Sequence, residues 1–189
     1  MWEWWFFSCL AAFATWLFLA QNEASKLSVP GTSPRVIVYL MSLARLLLAI
    51  AVLTIGYILE PMLRTVMELG PGQAIESLGA GAFTQFMVAL FSAMVPASIA
   101  TVVANEGKDL KEKIQKGAIT AVISLVILDT VWNFIAIRPF ADYLFSLFSD
   151  LIGGAIAGAL IGYAAQMAQD KQAALAGPGQ LERRRTDTA

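Results

Sequence analysis

Five apolar stretches, each long enough to cross a bilayer as a helix, limit what this chain can fold into before any single residue does. A hydrocarbon core of about 30 Å takes roughly 20 apolar residues in helical form. Lipid offers no water to an unpaired amide, so a crossing segment must satisfy its own backbone, as a helix does. The stretches cover residues 4–20, 36–59, 82–104, 118–137 and 143–167. The first is short and is fronted by Trp2, Trp4 and Trp5, whose rings favour the headgroup level. A cleaved signal peptide is its competing reading, disfavoured because no Lys or Arg precedes the apolar run and LFLA lacks a small residue at −3.

The expected fold is therefore all-α: a polytopic membrane helix bundle over residues 1–169 and a polar, disordered cytoplasmic tail over 170–189. Charged residues make up 14% of the chain and hydrophobic ones 58%. A soluble domain carries about 25% charged residues, so the lipid bilayer is this chain's first partner. Nucleic acid is not expected as a partner, because the formal net charge is −1 and the dense basic run Arg183–Arg184–Arg185 lies in the tail.

His is absent and Cys9 is the single cysteine, inside an apolar run. That removes disulfide frameworks, His/Cys zinc sites and nucleophile pairs that need an imidazole. No enzyme, cofactor or metal centre is expected.

Between the stretches, QNEASKLSVPGTSPR reads as a polar turn around Pro30 and Gly31, with Pro34 opening the next helix at its first position. Pro61 ends or kinks the second span. Leu63, Val66 and Met67 then share one helical face, with Arg64 and Glu68 at i,i+4, which predicts a short helix lying in the interface. Gly70–Pro71–Gly72 breaks structure, Pro96 falls inside the third span, and Gly107 stops that helix. Asp109–Lys113 and Glu112–Lys116 are spaced as i,i+4 pairs on the turn leading into the fourth span. Arg138–Pro139 ends that span, and the short link makes spans four and five an antiparallel hairpin.

Basic residues set the orientation. None precedes the first span; Lys26 and Arg35 lie in the first loop, Arg64 in the second, Lys108, Lys111, Lys113 and Lys116 in the third, Arg138 in the fourth, and Lys171 with Arg183–Arg185 in the tail. Low and high counts alternate as five spans of a multi-pass cell (inner or plasma) membrane protein require, with the N-terminus outside and the C-terminus cytoplasmic.

Three charges fall inside spans. Counting inward from the span ends puts Arg45 about nine residues and Asp129 about eleven residues deep, roughly 14 and 17 Å at one helical rise per residue. The expectation is an Arg45–Asp129 pair across spans two and four, with Asn133 one turn on taking a remaining lone pair. Arg45 snorkelling to the headgroups and a protonated Asp129 are the alternatives. Asp150 is a possible pathway residue, expected to meet water one to two turns below the outer surface.

Gly154, Gly158 and Gly162 repeat at i,i+4 in the fifth span, a flat face on which another backbone can pack. That backbone belongs either to this chain or to a second copy. Three functions then compete. A non-enzymatic packing or assembly subunit of a homo-oligomer or membrane complex is the expected function, favoured by the glycine face, the charged loop and the basic tail; the other two are alternatives. An ion or small-solute transporter component is favoured by Arg45, Asp129 and Asp150. A holin-like permeabilising protein is favoured by the glycine face but weakened by five spans.

Overall fold

The computed structural model describes residues 2–26, 34–137 and 139–176. They form five helices: α1 (Trp2–Lys26), α2 (Pro34–Leu69), α3 (Pro71–Asn105), α4 (Leu110–Ala136) and α5 (Phe140–Ala176). Among the described residues there is no strand, and each helix contains a stretch long and apolar enough to cross a membrane. The first seven residues of the expected tail, 170–176, continue α5 as helix, while the turn at Pro30 and Gly31 and the tail beyond Ala176 lie outside the described residues.

The helices are longer than the apolar runs that announce them. α2 holds 36 residues, about 54 Å at 1.5 Å per residue against a core of about 30 Å. It opens at Pro34, where the missing N–H is no loss, and continues through Pro61 to Leu69. Residues 62–69 are thus the last turns of α2, not a separate interfacial helix. Ending a helix in apolar surroundings would strand several carbonyls, whereas one proline removes a single bond. The chain turns only at Gly70, whose φ of 87° suits a residue without Cβ, and Pro71 starts α3 at once. Residues 71–81, which read as a broken loop, are helical.

The α3–α4 corner takes four residues, 106–109. Asp109 caps α4 by accepting the Glu112 N–H at 2.7 Å, while the Glu112 carboxylate accepts the Lys108 N–H at 2.8 Å. At its far end α4 stops on Ile137, a β-branched residue in the left-handed region (φ 48°, ψ 57°), whose N–H bonds the Asn133 carbonyl. Pro139 then precedes α5, closing the α4–α5 hairpin.

α3 is the central helix and touches the other four, whereas α1 touches only α2 and α3. The reason is a stripe of alanines, Ala89, Ala93, Ala97, Ala100 and Ala104, all buried. Small side chains spaced three or four apart let neighbouring helices approach closely. The opposite pattern marks the outer surface. Ile119, Ile123 and Ile127 form an exposed apolar ridge along α4, more than a water-facing surface normally carries. Five apolar helices around a small-residue core, with apolar ridges on the outside, are compatible with a multi-pass membrane helix bundle.

Two aromatic contacts seat α1. Trp5 stacks on Phe91 of α3 with centroids 4.9 Å apart, and Trp16 donates its indole N–H to the Tyr39 carbonyl at 3.0 Å.

Candidate functional site

Buried polar side chains gather at the two ends of the bundle. At the end where α1 and α3 finish, Arg45 meets Glu23 at 2.5 Å, Ser42 donates to the other Glu23 oxygen at 2.7 Å, and Arg45 also donates to Asn105 at 3.3 Å. The expected Arg45–Asp129 pair is not what forms. Two features of the fold account for the difference. α1 remains helical past Ala20, so Glu23, read as a turn residue, faces Arg45 across the α1–α2 contact. The bond to Asn105 also fixes Arg45 near the α3–α4 corner, whereas Asp129 lies nineteen residues beyond Leu110, about 28 Å along α4.

Lys113 shares that end. Its residue is 1% exposed, and its ammonium donates to Gln166 at 3.0 Å and to Gln169. The expected Asp109–Lys113 pair is replaced by the Asp109 cap and these glutamines, while Glu112–Lys116 stands at 2.9 Å. Arg64 likewise turns from Glu68 to Asp142 on α5. It reaches the carboxylate at 3.6 Å and the carbonyl at 2.9 Å, with its guanidinium 5.2 Å from the Phe145 ring centre.

The opposite half of the bundle is acidic. Glu60 and Tyr57 come from α2, Asp129 from α4, and Asp150 from α5; the Glu60 and Asp129 charges are close enough to act on Asp150, and all three carboxylates act on Tyr57. Ser146 donates to Glu60 at 2.6 Å, tying α5 to α2, and Thr130 shares a 2.9 Å hydrogen bond with Tyr143. Asp150, expected to meet water, is only 6% exposed, and its Oδ2 has no hydrogen-bond partner. The amide oxygen of Asn133 is also buried without a partner.

Asp150 lines a cavity with about 30 Å³ of room, walled by Val52, Leu53, Gly56, Tyr57 and Glu60 of α2, Leu125 of α4, and Ser149, Gly153, Gly154 and Ala157 of α5. No family model, curated protein or solved structure matches this chain. The chemistry of the site therefore has to be read from its own atoms. Asp150, Glu60, Tyr57 and Ser149 bring side-chain oxygens and no basic group to the residues that line this small space. Among the described residues no group of three His, Cys, Asp or Glu is placed to hold a metal ion.

The glycine face of α5 packs on α4 of the same chain. A Cβ at Gly158 would strike the Gly117 carbonyl, one at Gly162 would strike the Lys113 backbone, and one at Gly154 would crowd Val122 at 3.1 Å. The two helices therefore run backbone against backbone along this seam.

Glu23, Tyr57, Glu60, Lys113 and Gly117 were not singled out as site residues by sequence reading. Glu60 carried a usable signal, since an acid ten residues before Gly70 is too deep for a loop once α2 is known to continue. Glu23 carried a weaker one, three residues beyond Ala20 on the same helical face.

Proposed function

We propose that this is a non-enzymatic multi-pass membrane protein that moves protons or another small cation across the bilayer, with Asp150 as the binding carboxylate. One observation carries the reading: Asp150 is buried, keeps an oxygen free of hydrogen bonds, and lines a cavity shared with Glu60 and Tyr57. A buried acid inside a membrane bundle is expensive to keep and marks ion or proton pathways. Asp129, whose field reaches Asp150, belongs to the same acidic half. Arg45 leaves the pathway in this reading and serves the architecture, held by Glu23.

The assembly-subunit and permeabilising readings both drew on a free glycine face. That support weakens, because Gly158 and Gly162 lie against α4 of the same chain. The lysine-rich α3–α4 corner supports a cytoplasmic position for that end of the bundle, in a cell membrane with the N-terminus outside.

The test is flux in vesicles. Protein reconstituted with a pH-sensitive dye inside should acidify or alkalinise the lumen when a potential is imposed, and Asp150→Asn should abolish the response. Unselective leakage of the dye would favour permeabilisation instead. A tight vesicle with no flux and a stable larger particle would favour the subunit reading.

A further inference from the structure

We propose that the Asp150 cavity is a hydrated proton site, and that Gly56 and Gly153 are the residues that hold it open. The inference rests on the reading of Asp150 above and adds the ligand and the residues that set its size.

The cavity's room of about 30 Å³ is enough for about two water molecules. A confined water needs two to four polar partners. The lining residues include Asp150, Glu60, Tyr57 and Ser149, each of which carries a side-chain oxygen. Asp150 brings an acceptor oxygen that no protein donor uses.

The glycines divide by what surrounds them. Gly154 is a packing glycine, because a Cβ there meets Leu125 and Val122. Gly56 on α2 and Gly153 on α5 are different: a Cβ at either meets nothing within 4 Å, yet both line the cavity. Glycine inside a helix costs about 1 kcal/mol relative to alanine. Neither helix contact nor backbone angle requires it at these two places. The space they leave adjoins the cavity that Asp150 lines.

The charge around the site selects the ligand. Glu60 and Tyr57 from α2 line the cavity with Asp150, and the Asp129 charge on α4 is near enough to act on it. From α3, residues 81–105 bring no charged side chain. A negative field in a space of this size suits a small cation. Among the described residues no group of three acids is placed to replace the hydration shell of a metal ion, so the proton carried on confined water fits best. Reversible protonation of Asp150 needs no other reactant: the carboxylate takes H⁺ from a protonated cavity water, leaving neutral water, and returns it to a cavity water in the reverse step.

The experiment is infrared difference spectroscopy on the full-length protein in lipid nanodiscs. A titrating carboxylic acid band should appear in the native protein and vanish in Asp150→Asn. On transfer to deuterated buffer the native band should shift quickly, and Gly56→Val or Gly153→Val should slow that exchange several-fold without lowering the melting temperature. If either valine variant does not fold, the double Gly56→Ala, Gly153→Ala variant serves, since each Cβ has open space. Unchanged exchange in folded variants would overturn the role of the glycines. Loss of the band on adding sodium at constant pH would overturn the proton and assign the site to a metal cation. A band that behaves as expected in a protein giving no vesicle flux would refute transport and leave the proton site standing.

Discussion

Glu23 and Arg45 form a 2.5 Å ion pair between α1 and α2, with both side chains almost wholly shielded from solvent. Removing one partner of such a pair leaves an uncompensated buried charge, a loss of about 3–5 kcal/mol. Arg45→Met and Glu23→Leu should each destabilise by that order in reversible unfolding from mild detergent. The double variant should lose much less than the sum, because neither charge is then left alone. Additive losses would mean that each residue acts through other contacts.

The α4–α5 seam predicts a contrast between two glycines five residues apart. Gly158→Ala drives a methyl into the Gly117 backbone, and overpacking of this kind costs about 1–3 kcal/mol. Gly153→Ala meets open space and should be neutral or stabilising by up to about 1 kcal/mol. Thermal unfolding of both variants, with particle mass measured alongside, checks this. A change in oligomer size without loss of stability at Gly158 would contradict the seam.

Ile137 ends α4 in the left-handed region, where a β-branched side chain is strained by about 1–2 kcal/mol. Its side chain is exposed and anchors nothing in the core. Ile137→Gly should therefore raise stability by about 1 kcal/mol, the relieved strain outweighing the entropy glycine regains on unfolding. A lower melting temperature would show that the isoleucine side chain makes a contribution of its own.

Asp109 caps α4 through the Glu112 N–H. Asp109→Ala should cost about 1 kcal/mol. The loss should appear as faster amide exchange confined to the first turn of α4.

Much of this architecture is legible in the hydropathy pattern, for a physical reason. The five helices, the start at Pro34 and the α4–α5 hairpin follow from apolar runs and from prolines, which act locally. Helix ends are less legible. Glu23 and Glu60 sit beside residues that usually close a span, but the backbone's need for internal hydrogen bonds carries each helix past them.

Lateral partners are the least legible. Arg45 and Asp129 match in a depth count whose edges are uncertain by a turn. The actual partner depends on which helix faces which, and on the buried alanine stripe of α3 that draws its neighbours in. Asp150 was legible as an intramembrane acid; its shielding depends on α2 lying alongside α5, a contact between helices that are not consecutive in the chain.

The order of synthesis gives the Glu23–Arg45 contact a further consequence. The acid belongs to the earlier of two successive helices and the base to the later, so α1 and α2 can enter the bilayer together as a hairpin whose opposite charges already cancel. A chain shortened from its beginning would instead deliver a lone guanidinium into oil, and its failure would come at insertion, before any later helix has been made.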